Sequence, residues 1–546
     1  MIKNRKKNPR ADDSNKPNKE LRGSYPSIFN DVIGPVMRGP SSSHCAAALR
    51  IGRIARDLMG GMIKEVLVEY DTHGSLATTH LSQGSDMGLM GGLLGWDTTD
   101  DRLAQSAEAL REAGIKITYE IHDIGAEHPN TYKLTLKNLD EQHTLTAIST
   151  GGGMIEIREI DGAAVSIAGD YYETLIYFDR SSKIQLEELK KLSEFDDILS
   201  LNVTEGQIIE IKARKFLDEE AVAWLNSRQR IKYLKLLSPV LPVLSRRHMS
   251  VPFITSDEML RYNAGKDMCL WELACLYESA RGNISQEQVQ ERMREIILIL
   301  QRSILAGIEG TTYQDRILGC QSGSFQVQLN HHRLLDGGIL NQIILYVTAL
   351  MEIKSSMGVI VAAPTAGSCS GLPGACIGAA SAMGLSVDDM AKAMLAAGMV
   401  GIFIAAQATF AAEVGGCQAE CGSASGMAAA ALVTLAKGSV QQALDAASMA
   451  LQNILGMVCD PVANRVEVPC LGKNVLAASN ALACANMALA NYDAVIPLDE
   501  VIETMDRVGK SLPAELRCTA LGGLSITPTS KNIERRLTKN GAVPAA

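Results

Sequence analysis

Residues 393–412 read AMLAAGMVGIFIAAQATFAA, twenty residues without a charge. A helix that is apolar all round either crosses a bilayer or lies at the centre of a large protein, and about 20 residues suffice to cross. The stretch is rich in Ala and Gly rather than Leu and Ile. It has no aromatic belt, and no positive-inside asymmetry surrounds it. The same small-residue texture returns in MAAAALVTLA (427–436) and NVLAASNALACANMALAN (474–491). One helical bundle with a buried centre accounts for all three. Residues 216–546 are therefore expected to form a large, mostly α-helical domain, with GVIVAAP (358–364) its one strand-like run.

Upstream the pattern changes. IKEVLVEYD (63–71), IKITYEIHDI (115–124) and YKLTLKNL (132–139) alternate as half-buried strands do. RLAQSAEALREAG (102–114) is an amphipathic helix closed by a glycine. Residues 24–160 thus read as an α/β (α+β) domain. Residues 161–215 read as a small ACT-like α+β module: AAVSIAGDYYETLIYF as strand, IQLEELKKLSEF (184–195) as helix, then ILSLNV and QIIEIKAR as a strand pair. Such a unit is a connector or a regulatory module, and fold alone does not choose. Residues 1–23 are basic and polar, contain Asp12, Asp13 and Glu20, and lack an apolar signal core. They read as a disordered tail rather than a targeting segment.

The chain has 546 residues and a net charge of −9, which speaks against nucleic-acid and anionic-membrane partners. With no secretory signal, its twelve cysteines are expected as reduced thiols in a cytoplasmic protein. Their distribution is lopsided. Cys45 stands alone in the first 268 residues and eleven follow from Cys269 to Cys518, whereas the last of nine histidines is His332. A site using both thiolates and imidazoles would have to lie between domains.

The densest chemistry is in GGCQAECGSASGMAAAA (415–431) and VCDPVANRVEVPC (458–470). Pro461 and Pro469 keep the second segment from being a continuous helix. Its loop can aim Cys459 and Cys470 at one centre while Cys417 adds a third thiolate. Buried free cysteines are usually just small hydrophobes. Three converging thiolates instead suit an iron–sulfur cluster or zinc, and the spacing does not choose. PTAGSCSG (364–371) is a turn whose backbone N–H groups could bind an anion. GPSSSH (39–44) offers three hydroxyls and an imidazole, although Ser41, Ser42 or Ser43 is expected to cap the following helix.

GCQAE, CDPVANRVEVPC and AAPTAGSCSGLPG resemble the alpha region of bacterial iron–sulfur-dependent L-serine dehydratases. DVIGPVMRGPSSSHCAAALRIGRIAR (31–56), GSLATT (74–79), HPNTY (128–132) and STGGGMIEI (149–157) resemble the beta region of the same family. The resemblance spans roughly residues 26–180 and 250–535. It implies a [4Fe–4S] cluster on Cys417, Cys459 and Cys470, with one iron open as a Lewis acid for the hydroxyl of serine. It places Thr365, Ala366 and Gly367 at the substrate carboxylate, and Ser41, Ser42, Ser43, Asn130 and Ser149 around the substrate. His44, His80 and His128 are the candidate bases, His44 leading.

Gln83, in SQGSD, stands where the family has a histidine, which leaves the base open. Cys421 is expected to be a structural thiol. The chain ends GAVPAA, without the terminal cysteine that some relatives are thought to use to cap the open iron, so Cys518 is unassigned. The other readings are the same chemistry on threonine, cysteine or another 3-substituted amino acid, a non-catalytic amino-acid sensor, and a membrane protein built on 393–412. A homodimer is the default assembly.

Overall fold

The computed structural model describes residues 25–179, 189, 194–203, 206–228 and 231–540. The reading of residues 1–23 lies outside these, as does almost all of the helix expected at 184–195.

The N-terminal unit is a six-stranded sheet in the order β3-β2-β4-β5-β6-β7. Its strands are β2 Glu65–Asp71, β3 Lys116–His122, β4 Thr131–Lys137, β5 Gln142–Gly151, β6 Met154–Ile160 and β7 Ala163–Ile167. Only β2 and β3 run parallel. Helices α1 (Ala47–Leu58) and α2 (Ser85–Leu93) supply much of the apolar layer against the sheet. The glycines of SDMGLMGGL set their spacing. A methyl at Gly88 would lie 2.0 Å from the Cys45 carbonyl oxygen, and one at Gly92 would lie 2.1 Å from that of Leu49. Backbone meets backbone there, which fixes the segment carrying His44.

A second sheet, β11-β8-β10-β9, is fully antiparallel. It comprises β8 Tyr172–Asp179, β9 Asp197–Val203, β10 Gly206–Ala213 and β11 Ile231–Leu237. Its extent differs from the 161–215 unit read in the sequence. Residues 163–178 are two strands in two sheets, parted at Gly169, whose carbonyl accepts from Val240 and Leu241 N–H. At the other end β11 joins β8 from beyond residue 215. Its lysines hid it: Lys235 is buried and pairs with Glu141 of the first unit at 2.6 Å.

From residue 256 the chain is helical, apart from β12 (Ile360–Val361), a two-residue strand that pairs with β1 (Val36–Met37). The main helices are α3 Leu270–Gly282, α4 Gln286–Glu309, α5 Ile339–Ser355, α6 Gly371–Ala382, α7 Val387–Gln407, α8 Ser423–Leu435, α9 Val440–Gln452, α10 Cys470–Leu489 and α11 Leu498–Ser511. The uncharged stretch that opened the analysis is α7. It starts earlier than the apolar run because Ser386 and Asp389 form a capping box, and it ends at Gln407. Among the described residues α7 alone is long and apolar enough to cross a membrane, and 78% of its most apolar window is buried within the protein. Part of that cover comes from the N-terminus: methyls at Gly398 and Gly401 would meet Ile28 and Val32 at 2.9 and 2.1 Å. The N-terminal segment is thus built into the helical core, and the two halves close on each other along β1–β12.

Candidate active site

The prolines of VCDPVANRVEVPC break helix as expected. Ala463 and Asn464 adopt left-handed backbone (φ 48° and 56°), and helix resumes at Cys470. The loop is gripped from outside. Glu467, buried, accepts N–H bonds from Ile317 (3.0 Å) and Leu318 (2.9 Å), and Arg465 pairs with Asp315 at 2.7 Å. Cys417 immediately precedes a π-helical turn, Gln418–Gly422, that leads into α8.

Cys417 and Cys459 come together in a small buried cluster with Ala412 and Cys518. The Cys459 thiol is held well above its ordinary pKa, first by hydrogen bonding with Cys417, then with Cys518, then by burial. Cys470 packs against Ala366 and Cys369 on another side. Burial raises its thiol pKa most, and the Cys417 thiol adds to the rise. Ligand atoms of Cys417, Cys459 and Glu420 all lie within 4.8 Å of one another. Lys473 stands over this group. Its Nζ bonds the Val458 carbonyl at 2.6 Å and Asp460 at 2.9 Å, and burial works against its charge while Cys417 favours it. Lys354 Nζ is buried without a hydrogen-bond partner among the described residues and acts on the charge of Cys470 and Glu420. Buried thiols with two lysines beside them fit an anionic thiolate-bound cluster.

Cys421 is buried and accepts from Asn474 Nδ2 at 3.7 Å. Its thiol is raised by burial and by the neighbouring Cys417 thiol. Glu420 was missed in the sequence. Its Oε1 accepts from Thr365 Oγ1 at 2.6 Å, and burial pushes its carboxyl up to about 7. A methyl at Gly367 would sit 2.9 Å from both Glu420 oxygens, so the glycine of PTAG is what lets the turn approach this carboxylate.

The other half of the site comes from the first domain. The serines of GPSSSH do not cap a helix. Ser41 stands at the cap position with no side-chain cap bond, because a π-helical turn, Ser42–Ala46, precedes α1 and the hydroxyls are used elsewhere. Ser42 Oγ accepts from Ala366 N–H at 3.0 Å, so one amide of the expected carboxylate nest is already occupied. Ser43 donates to Glu413 Oε1 at 2.8 Å, and Ser41 and Ser43 lie 3.2 and 3.0 Å from His44 Nδ1.

His44 is fully buried. Its Nε2 lies 2.8 Å from Thr79 Oγ1, whose single proton goes to the Ser75 carbonyl at 2.6 Å. Thr79 must therefore accept from His44, which puts the ring proton on Nε2. Nδ1 faces Ser41 and Ser43, with Glu413 at 3.6 Å. Burial lowers the His44 pKa, Glu413 opposes this, and His80 adds to the lowering. Glu413, from the helical half, is the second residue the sequence reading missed. It lies in AAEVGG, next to Ala412 of the thiol cluster.

Asn130 and Ser149 are cross-strand neighbours, with Ser149 N–H donating to the Asn130 carbonyl at 3.1 Å. Both are fully buried, and Asn130 Oδ1, Asn130 Nδ2 and Ser149 Oγ have no partner among the described residues. Buried polar atoms left open at a domain junction mark where a polar ligand would bind. His128 Nδ1 accepts from Asn130 N–H at 3.2 Å, and burial lowers its pKa. His80 is engaged elsewhere: Nδ1 is 2.8 Å from Asp86, and the ring lies against Tyr70 and Tyr119. Gln83 reaches the helical half instead, its Nε2 donating to Asn464 Oδ1 at 3.1 Å and to Cys518 Sγ at 3.6 Å.

Residues 228–525, more than half of the chain, match the family described as serine dehydratase alpha chain. A probable L-serine dehydratase alpha chain of Bacillus subtilis is 35% identical over 285 residues, 52% of this chain and 95% of that one. The L-serine dehydratase alpha chain of Peptoniphilus asaccharolyticus is 34% identical over 289 residues, 53% of this chain and 99% of that one. The first domain has its own relative: a probable L-serine dehydratase beta chain of B. subtilis is 42% identical over 152 residues, 28% of this chain and 68% of that one. The chain belongs to the serine dehydratase family, with regions similar to the alpha and beta chains joined in one polypeptide.

Proposed function

We propose that this protein is a soluble L-serine ammonia-lyase that turns L-serine into pyruvate and ammonia, using a [4Fe–4S] cluster held by Cys417, Cys459 and Cys470. The observation that supports the reading is the junction of the two halves: His44 of the first domain lies 3.6 Å from Glu413 of the helical one, which adjoins Ala412 of the buried thiol cluster, and the first domain also buries the unpartnered polar atoms of Asn130 and Ser149. When bound, the cluster would supply a Lewis-acidic iron for the substrate hydroxyl.

The chain's own residues do the rest. Asn130 and Ser149 hold the polar groups of the amino acid. His44 Nδ1, kept neutral by burial, takes the Cα proton, and Glu413 stabilises the imidazolium that forms. Thr79 fixes the ring through Nε2. Glu420, poised near neutrality, holds a proton beside the departing oxygen. The dehydrated product, aminoacrylate, then hydrolyses to pyruvate and ammonia.

The test compares Cys459→Ala and Cys470→Ala with Cys421→Ala, all purified anaerobically. The first two are expected to lose iron and pyruvate release together, and Cys421→Ala to keep both. Serine binding without pyruvate release, indifferent to Cys459→Ala, would replace this reading with a sensor.

A further inference from the structure

Cys518 has no role in the reaction as derived above, yet it sits in the thiol cluster. Its neighbour across the chain is Cys459. Residues 459 and 517 form an isolated parallel bridge, with Cys459 N–H donating to the Leu516 carbonyl at 2.8 Å and Cys518 N–H to the Cys459 carbonyl at 3.1 Å. These two bonds hold residues 459 and 517 one strand spacing apart, ~4.8 Å, with Cys518 the next residue along, and a disulfide accepts Cα separations of ~4.4–6.8 Å. In a regular strand Cys518 would point to the face opposite Arg517. Instead its backbone is left-handed (φ 59°), and the side chain turns back so that its thiol meets that of Cys459. Gln83 Nε2, reaching across from the first domain, donates to the same sulfur at 3.6 Å. Both cysteines are buried, at 4% and 5% exposure, which keeps bulky thiols away from them.

We propose that Cys459 and Cys518 join as a disulfide when oxygen strips the metal centre, storing a ligand thiol in a reducible form. Each thiol gives up one proton and one electron, the two S–H bonds break and one S–S bond forms. Dioxygen takes both electrons and both protons and leaves as hydrogen peroxide. Without a partner, a thiolate freed by metal loss climbs to sulfinic and sulfonic acids, which ordinary thiols do not reverse. The proposal takes Cys459 as a metal ligand from the reading above, but the bond it predicts is detected independently of metal.

The test uses the full chain, purified anaerobically and then held in air until its iron is gone. Free thiols are alkylated under denaturing conditions, and the digest is mapped by mass spectrometry without reduction. The expected result is a peptide pair linked through Cys459 and Cys518 that is absent before exposure and released by dithiothreitol. In Cys518→Ser the pair is absent and Cys459 appears as sulfinic or sulfonic acid. Iron uptake after dithiothreitol, iron and sulfide then falls severalfold below that of the parent. The wild-type map decides the matter without the variant: a Cys417–Cys459 link, or a Cys459 that stays free and alkylated after air exposure, overturns the proposal. Iron and sulfide measured before exposure bear on the cluster reading alone: a metal-free protein that still forms the link would sink that reading and leave the pairing of Cys459 with Cys518 standing without its role of storing a ligand thiol.

Discussion

His44 is where residue chemistry is most exposed to test. Its pKa is lowered by burial and raised by Glu413, so the neutral base persists to below the ordinary histidine value, and the acid limb of kcat/KM should fall below about pH 6.5. Glu413→Gln removes the raising charge. The pKa then drops further, and a pH–rate profile should show the acid limb displaced to lower pH, with reduced kcat from the lost stabilisation of imidazolium. His44→Gln should cost about 10²–10⁴ in kcat with iron content unchanged. If His44→Gln keeps parental kcat, the base lies elsewhere, with His128 next in line. At this scale the sequence showed His44, the three thiols, Asn130 and Ser149 as candidates because they stand in motifs. It did not show Glu413 or Glu420. An acid near a cysteine looks like any solvated acid until the fold buries it, and Glu413 acts on a histidine 369 positions away only across the domain junction.

Among the elements, the contact between α1 and α2 tests how the site is positioned. At Gly88 an added methyl has nowhere to go, at 2.0 Å from the Cys45 carbonyl. Gly88→Ala should cost about 1–3 kcal/mol through overpacking, read by denaturant unfolding, and should shift the neighbouring His44. A change of a few tenths would mean that the helices slide apart freely. The helices were legible because small residues and long uncharged runs persist over many turns. β11 was not, because Lys232 and Lys235 blur its alternation and its partner strand is some fifty residues earlier. The serines of GPSSSH carried a capping signature that the fold overrides, since Glu413 and Ala366 offer the hydroxyls of Ser43 and Ser42 tertiary partners.

The whole molecule divides its chemistry between two halves: thiols and acids in one, imidazoles and amide in the other. Expressed separately, residues 1–250 and 251–546 should each release no pyruvate, and mixing them under anaerobic conditions should restore it. The helical half alone should also unfold at lower temperature than the full chain, because Ile28 and Val32 no longer fill the notch at Gly398 and Gly401. Activity from the helical half by itself would show that the first domain carries no catalytic group.

The central claim is best tested by quantifying iron and acid-labile sulfide in anaerobically purified protein alongside pyruvate release, before and during exposure to air. The account predicts about four of each per chain, with iron and activity declining together. Protein that is colourless and free of iron yet deaminates serine at the full rate would contradict it.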